Sequence, residues 1–208
     1  MRIYLTLLSL LLSSALFAQK SAYTTSLVNA VATFNTSNNT TDYTNLIQEL
    51  EKLDALNTKD WVPSYYLALI HTRISINNSK NAEVHADNAL IWAKKSIAIN
   101  SNDETNCMFA MAHIAKMAIN PLMRYVKYQS VIYDYLGKAK KINPNNPRPY
   151  ILEAKLQLNL PRLFGGGCKQ AKPFIIKAQQ LLDSQLPQSI LPTWGKLSLS
   201  ELREGCPI

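Results

Sequence analysis

A glycine-rich loop is the feature of this 208-residue chain that comes nearest to a reactive motif. Residues 165–169 read Gly-Gly-Gly-Cys-Lys, and glycine turns ahead of a helix can cradle a phosphate with their backbone amides. A phosphate-binding P-loop also needs a preceding strand and a serine or threonine after the lysine. Here a helical pattern precedes the loop and Gln170 follows Lys169. We therefore interpret these glycines as an inter-helix turn that supplies positive φ and close packing.

Other candidate catalytic and metal-binding residues lack the spacing that their chemistry needs. His71, His85 and His113 are scattered, and none has a second ligand at the helical spacing of a zinc site. The carboxylates are sparse and fall at helix starts or on exposed faces, so no pair is forced to converge in a cleft. No serine occupies a nucleophile elbow. The sequence predicts a protein that is not an enzyme, with no metal site and no cofactor.

The cysteines are too few for a disulfide scaffold, and their number is odd. In an oxidising compartment one pair can form, and we expect Cys168 with Cys206 because both lie in the C-terminal part outside obvious core positions. The alternative is two free thiols. Cys107 lies among apolar residues at a helix start, where a buried free cysteine behaves as a small hydrophobic residue.

Aromatic residues are the stronger candidates for binding, since tyrosine buries its ring at interfaces while its hydroxyl stays paired. The alternative is that most of them fill the core between helices. Arg148 lies beside an asparagine–proline turn, and we expect it to pin the loop over residues 164–167 rather than to bind a ligand. The residues that we single out for partner binding or loop pinning are Tyr65, Tyr66, Arg148, Tyr150 and Phe164.

The N-terminus has the pattern of a secretory signal peptide. Arg2 precedes an apolar run over residues 5–17, and the run ends in an Ala-x-x-Ala pattern at Ala18. The run is shorter than the ~20 apolar residues that span a bilayer, which argues against the alternative of a membrane anchor. We expect residues 1–18 to be cleaved, no transmembrane segment to remain, and the product to be exported, either periplasmic or secreted.

The formal charge of +8 is spread along the chain rather than clustered. A nucleic-acid-binding surface concentrates its lysines and arginines on one face, so no nucleic-acid partner is expected. The basic surplus instead favours acidic partners or an anionic membrane.

Helical periodicity runs through the rest of the chain. Apolar or small residues recur three and four positions apart, proline and asparagine separate the helical stretches, and no alternating strand pattern occurs. The stretch from Ala139 to Tyr150, which reads as helix, Asn-Pro turn and helix, shows this best. We expect an N-terminal helix pair and three helical hairpins in one domain over residues 19–208, with a tail from about residue 184 that is irregular apart from a short helix over residues 198–203.

The recurring alanine and serine positions resemble the second helix of a tetratricopeptide repeat. The segment Asn-Pro-Asn-Asn-Pro-Arg-Pro-Tyr, followed by Pro-Arg-Leu-Phe-Gly-Gly-Gly, is similar to secreted repeat proteins common in Bacteroidetes. This resemblance covers about residues 60 to 195. It implies an all-α fold, a tetratricopeptide-like superhelix of stacked hairpins, and a scaffold for contacts with other proteins. The pattern departs from that of a standard repeat, since Ser101 stands where a proline is expected.

Two functions remain open at this point. The first is a non-enzymatic adaptor in the cell envelope, whose first helices line a groove for a protein or peptide of unknown identity. The alternative is an accessory protein that binds a small molecule or solute in an aromatic pocket between hairpins. A closed aromatic pocket would favour the second function, and an open polar groove the first.

Overall fold

The structure of the protein is a computed structural model that describes residues 20–36, 40–77, 80–184 and 190–207. The predicted signal peptide, residues 1–18, lies outside this part. The described residues are all-α and contain no strand. None of their helices is both long enough and apolar enough to cross a membrane.

Nine helices and one 3₁₀ turn, Arg162–Phe164, are present in the described residues. The first helix, α1, covers residues 20–36. The other eight are α2 (Thr40–Leu56), α3 (Val62–Ile76), α4 (Ala82–Ile99), α5 (Asp103–Ala118), α6 (Pro121–Ile142), α7 (Pro147–Asn159), α8 (Cys168–Asp183) and α9 (Lys196–Gly205).

Three helical hairpins form the body of the molecule. Helix α3 pairs with α4, α5 with α6, and α7 with α8. The first helices of the hairpins pack on one another, α3 on α5 and α5 on α7, while α4 contacts α5 and α6 contacts α7. Each hairpin therefore packs on the next, and the first one is also covered by α1 and α2.

Alanines, joined in α6 and α8 by larger aliphatic side chains, are buried at helical spacing in the second helix of every hairpin. The alanines let the helices of a pair approach closely because their side chains occupy little space. All the members are fully buried: Ala86, Ala89 and Ala93 in α4, Ile132, Leu136 and Ala139 in α6, and Ala171, Ile175 and Ala178 in α8.

Asparagine side chains start three of the helices by accepting hydrogen bonds from their first turns. Asn102 and Thr105 form a reciprocal capping box at α5. Asn120 accepts from the backbone N–H of Met123 at α6, and Asn146 accepts from that of Arg148 at α7. Helix α7 thus begins at Pro147, directly after its asparagine cap.

The described residues after α8 pack against the rest of the fold. Residues 190–195, which we call the strap, lead into α9, and α9 packs on α7 and α8. Trp194 in the strap packs against all three of the molecule's buried apolar clusters. The region expected to be irregular therefore holds a short segment that contacts every part of the core.

Candidate functional site

Tyr65 and Tyr66, two of the predicted binding residues, are fully buried in α3. Burial raises the pKa of both phenols well above the ordinary value, so both stay neutral. Their rings meet edge to face with centroids 5.5 Å apart. Neither ring is available on the surface, and both belong to the core that the aromatic residues were also expected to fill.

Arg148 is also fully buried and lies at the centre of a polar network between α5, α7 and the strap. Its Nη1 donates to Glu104 Oε1 at 2.7 Å, and its Nη2 donates to the carbonyl oxygen of Pro192. Asn146 Nδ2 donates to the same Glu104 oxygen at 2.8 Å. Burial raises the pKa of Glu104 to about 7, with Arg148 opposing that rise.

The strap lies directly over the buried tyrosines. Tyr66 donates its hydroxyl to the carbonyl oxygen of Ile190 at 3.4 Å, and Trp194 Nε1 donates to the Tyr65 hydroxyl at 2.8 Å. The Arg148 guanidinium lies 5.6 Å from the Trp194 ring centroid. The side of α3 and α7 that carries these residues is thus covered by the chain's own backbone, as a bound peptide would cover it.

The loop-pinning role expected of Arg148 therefore falls on a different loop. The structure places its guanidinium on the strap, while Phe164 in the 164–167 loop is 63 % exposed. That glycine loop is held by backbone contacts instead: Gly167 donates its N–H to Gln157 at 2.7 Å, at a φ of 113°. Tyr150 is half-buried and donates its hydroxyl to the carbonyl oxygen of Pro144 at 3.3 Å.

The two C-terminal cysteines lie together. The structure joins Cys168, the first residue of α8, to Cys206 after α9, with their Cα atoms 5.3 Å apart. Cys107 is buried in α5, where desolvation raises the pKa of its thiol well above normal. A neutral, enclosed thiol is a poor nucleophile, so this position offers no reactive centre.

An aromatic strip lies on the α5–α6 hairpin. We use this name for four half-buried residues, Phe109, His113, Tyr128 and Tyr135. The Phe109 ring centroid is 4.6 Å from that of His113 and 4.5 Å from that of Tyr135. The His113 and Tyr128 rings are 6.0 Å apart. Together they offer partly exposed ring surface rather than one enclosed pocket.

His113 has a fixed tautomer within this strip. Its Nδ1 lies 2.8 Å from the carbonyl oxygen of Phe109, and a carbonyl only accepts, so Nδ1 carries the proton and donates it. Burial lowers the pKa of His113, which keeps the ring neutral. The lone pair is therefore on Nε2. A histidine held in this way by a backbone carbonyl is oriented as metal-ligating histidines commonly are.

Lysines flank the strip. Lys127 Nζ lies 5.2 Å from the Tyr128 ring centroid, and Lys138 Nζ lies 4.2 Å from that of Tyr135. Lys138 also pairs with Asp134 at 2.7 Å on the next turn of α6. The strip thus combines flat apolar surface with positive charge over two of its rings, and the charge of Lys138 is balanced by Asp134.

The other two histidines form a pair that their positions in the sequence did not reveal. His71 on α3 and His85 on α4 have their Nδ1 atoms 2.9 Å apart, and one ring donates while the other accepts. Burial and the neighbouring His85 lower the pKa of His71 to about 4. Within the described ranges, no group of three or more histidine, cysteine, aspartate and glutamate side chains is placed to hold a metal ion.

A cleft of about 680 Å³ lies between α8 and α9. Lys196 and Arg203 line it together with Asp183 and Glu204, so its charges are mixed. Arg203 donates to Gln179 at 3.2 Å, which already occupies part of its hydrogen-bonding capacity. No aromatic ring or histidine lines this cleft, in contrast to the strip on α5 and α6.

The comparison with known proteins found one informative match. No protein-family model and no curated protein sequence matches the chain. Among solved structures, it is similar to a protein described as "HusA haemophore from Porphyromonas gingivalis", with a TM-score of 0.79 and 27% sequence identity. The match covers 91% of this chain and 94% of the other. It supports an all-helical protein of the kind expected in Bacteroidetes, while the tetratricopeptide superhelix itself stays a prediction.

Proposed function

We propose that this protein is an exported, non-enzymatic binding protein whose ligand is haem or a closely related tetrapyrrole. The observation that carries the proposal is the similarity to a haemophore over nearly the full length of both chains. It favours the small-molecule alternative over the protein adaptor. The hairpin-on-hairpin contacts also support the finer proposal of a tetratricopeptide-like superhelix as the scaffold.

The aromatic strip is the proposed haem site, because it offers what the ligand needs. The porphyrin supplies four nitrogen ligands to the iron, so the protein has to add only one or two axial ligands, and histidine and tyrosine are common choices. His113 presents a neutral ring with its Nε2 lone pair free of the Phe109 hydrogen bond. One histidine is sufficient here, although it could not form a zinc site alone.

The surroundings of His113 fit the rest of the ligand. The rings of Phe109, Tyr128 and Tyr135 supply flat apolar surface for the macrocycle. Lys127 and Lys138, which lie over the Tyr128 and Tyr135 rings, supply the positive charge that the two propionate groups of haem need. The four rings are half-buried, so part of each ring is exposed to a ligand that lies against the surface. A ligand bound in this way can be transferred to another molecule.

The adaptor hypothesis meets a physical obstacle at the strap. The groove expected along the first helices is covered by the strap, whose carbonyl oxygens accept from Tyr66 and Arg148. A peptide partner would have to displace these contacts and leave the Arg148–Glu104 pair without its cover. This obstacle supports a ligand site elsewhere on the molecule.

A haemin titration followed by visible absorption tests the proposal. We expect saturable binding with a Soret shift, and we expect the variant His113→Ala to bind at least tenfold more weakly or to lose that shift. His85→Ala is the matched control, since His85 is half-buried but lies on α4 in the pair with His71. Equal binding by both variants would contradict the site, and no binding by the unmodified protein would contradict the function.

A further inference from the structure

Helix α6 begins with three highly exposed apolar side chains. Leu122 is 81%, Met123 79% and Val126 77% exposed, all within its first two turns. The other exposed large apolar residues of the described chain stand singly, none within a helical turn of another in sequence. Single exposed apolar residues are normal, whereas a contiguous group marks a contact surface.

The group is exposed because α6 extends past its neighbour. Tyr133 is paired with Gln157 and Lys140 with Glu153, which fixes the antiparallel register of α6 and α7. Helix α7 has 13 residues and ends at Asn159, while α6 has 22. At about 1.5 Å per residue, the first turns of α6 project beyond the end of α7. No part of the next hairpin can cover them.

The turns inside the three hairpins lie along one edge of the molecule. The chain reverses direction at each turn and the hairpins stack in order, so the α3–α4, α5–α6 and α7–α8 turns share that edge. An ion pair of 2.9 Å between Arg124 and Glu83 links the starts of α6 and α4 and confirms their proximity. We call this the tip edge and define it by its exposed members Ile76, Lys80, Leu122, Met123, Val126, Lys127, Arg162 and Phe164.

The tip edge is positively charged as well as apolar. Among the described residues, Lys80, Lys127 and Arg162 form no ion pair with an acid. The acids nearest to this edge, Glu83 and Asp87, are balanced by two cations, because Lys116 binds both of them and Arg124 also binds Glu83.

We propose that the tip edge docks this protein on the surface of an anionic lipid membrane. The three α6 side chains enter the boundary between headgroups and acyl chains, and the lysines and arginine meet lipid phosphates. A second copy of the chain fits the edge less well, because a stable dimer buries about 800 Å² on each partner, more than three side chains provide. The edge is separate from the buried network under the strap, and it shares Lys127 with the aromatic strip.

Co-sedimentation of the purified protein with lipid vesicles tests this inference. We expect binding to vesicles that contain phosphatidylglycerol, and weaker binding to vesicles of phosphatidylcholine alone. Raising the salt from about 0.1 to about 1 M shortens the screening length from about 10 to about 3 Å and should weaken the binding. The triple variant Leu122→Ser/Met123→Ser/Val126→Ser should reduce the partition coefficient at least tenfold, or about 1.4 kcal/mol.

The matched control removes three exposed apolar side chains elsewhere, in the variant Leu56→Ser/Ile142→Ser/Leu197→Ser. Its partition coefficient should stay within about twofold of the unmodified protein, and circular dichroism should show both variants folded. The inference is overturned if the two triple variants bind equally or if the unmodified protein does not bind phosphatidylglycerol. It is also overturned if the α6 variant turns a dimer into a monomer in analytical ultracentrifugation, because the edge is then an interface between copies. Haemin binding is measured in parallel, so that failure here is distinguishable from failure of the proposed function.

Discussion

Individual histidines in this protein differ in ways that their sequence positions conceal. His71 is almost fully buried and held by a second ring, while His113 is tied to a backbone carbonyl within its own helix. His71 and His85 lie on the two helices of one hairpin. No local sequence pattern defines how those two helices are aligned along each other. The tautomer of His113, by contrast, follows from the ordinary geometry of a helix, in which position i approaches the carbonyl of residue i−4. Helical periodicity around Phe109 could have indicated it.

The buried His71 makes stability depend on pH. Its pKa is about 4 in the folded protein and about 6.5 when unfolded, so between these values the unfolded state binds more protons. Stability from this residue is present above pH 6.5 and is lost as the pH falls toward 4, at no more than about 1.4 kcal/mol per pH unit. The raised pKa of Glu104 has the opposite sign over an overlapping window, since its folded form holds a proton more tightly.

A difference measurement separates these two contributions. Urea unfolding at pH 7 and pH 5 should show that the variant His71→Phe loses less stability on acidification than the unmodified protein. The same series in Glu104→Gln should shift in the other direction, because the group that gains a proton on folding is gone. An identical pH response in His71→Phe and the unmodified protein would contradict the assignment.

At the level of elements, the sequence predicted the helices well, but it did not predict what the tail packs against. The stripes Ala86–Ala93 and Ile132–Ala139 repeat at the helical period, so both the helices and their buried faces could be identified. The strap has no period, because it is an irregular segment of bends and turns whose position is fixed by distant partners. The sequence therefore assigned Arg148 to the loop over residues 164–167, whereas the structure places it on the strap. From the sequence, the aromatic strip could be recognised only as closely spaced tyrosines in α6. That Phe109 joins them depends on how α5 and α6 pair.

A disulfide bond links the start of α8 to the residue after α9. The Cys168–Cys206 bond closes a loop with a sequence separation of 38 residues. By the chain-entropy estimate, such a loop stabilises the folded state by about 4 kcal/mol. Cys168→Ser/Cys206→Ser should therefore lower the free energy of unfolding by about 2–4 kcal/mol in urea. Intact mass before and after reduction shows whether the bond is present, and a mass unchanged by reduction would refute it.

The whole molecule combines two kinds of contact. Stacked hairpins touch only their neighbours, and in repeat proteins this leads to unfolding that can proceed unit by unit. The strap adds long-range contacts, since Trp194 packs on all three apolar clusters and Arg148 joins α5 and α7 to the strap. These contacts should make the described helices unfold together. The strap would then serve the cohesion of the fold rather than ligand recognition.

The variant Trp194→Ala tests this cohesion. Truncating a buried tryptophan typically costs about 3–5 kcal/mol, and the half-burial of Trp194 places its value near the lower end. More tellingly, the urea transitions followed by circular dichroism and by tryptophan fluorescence, which in the variant comes from Trp61 and Trp92 alone, should coincide in the unmodified protein. In the variant they should separate, because the first hairpin, which holds both remaining tryptophans, loses its link to the later ones. The control Leu197→Ala removes a 76% exposed side chain two residues beyond the strap and should leave the transitions coincident. Transitions that stay coincident in Trp194→Ala would show that hairpin stacking alone makes unfolding cooperative.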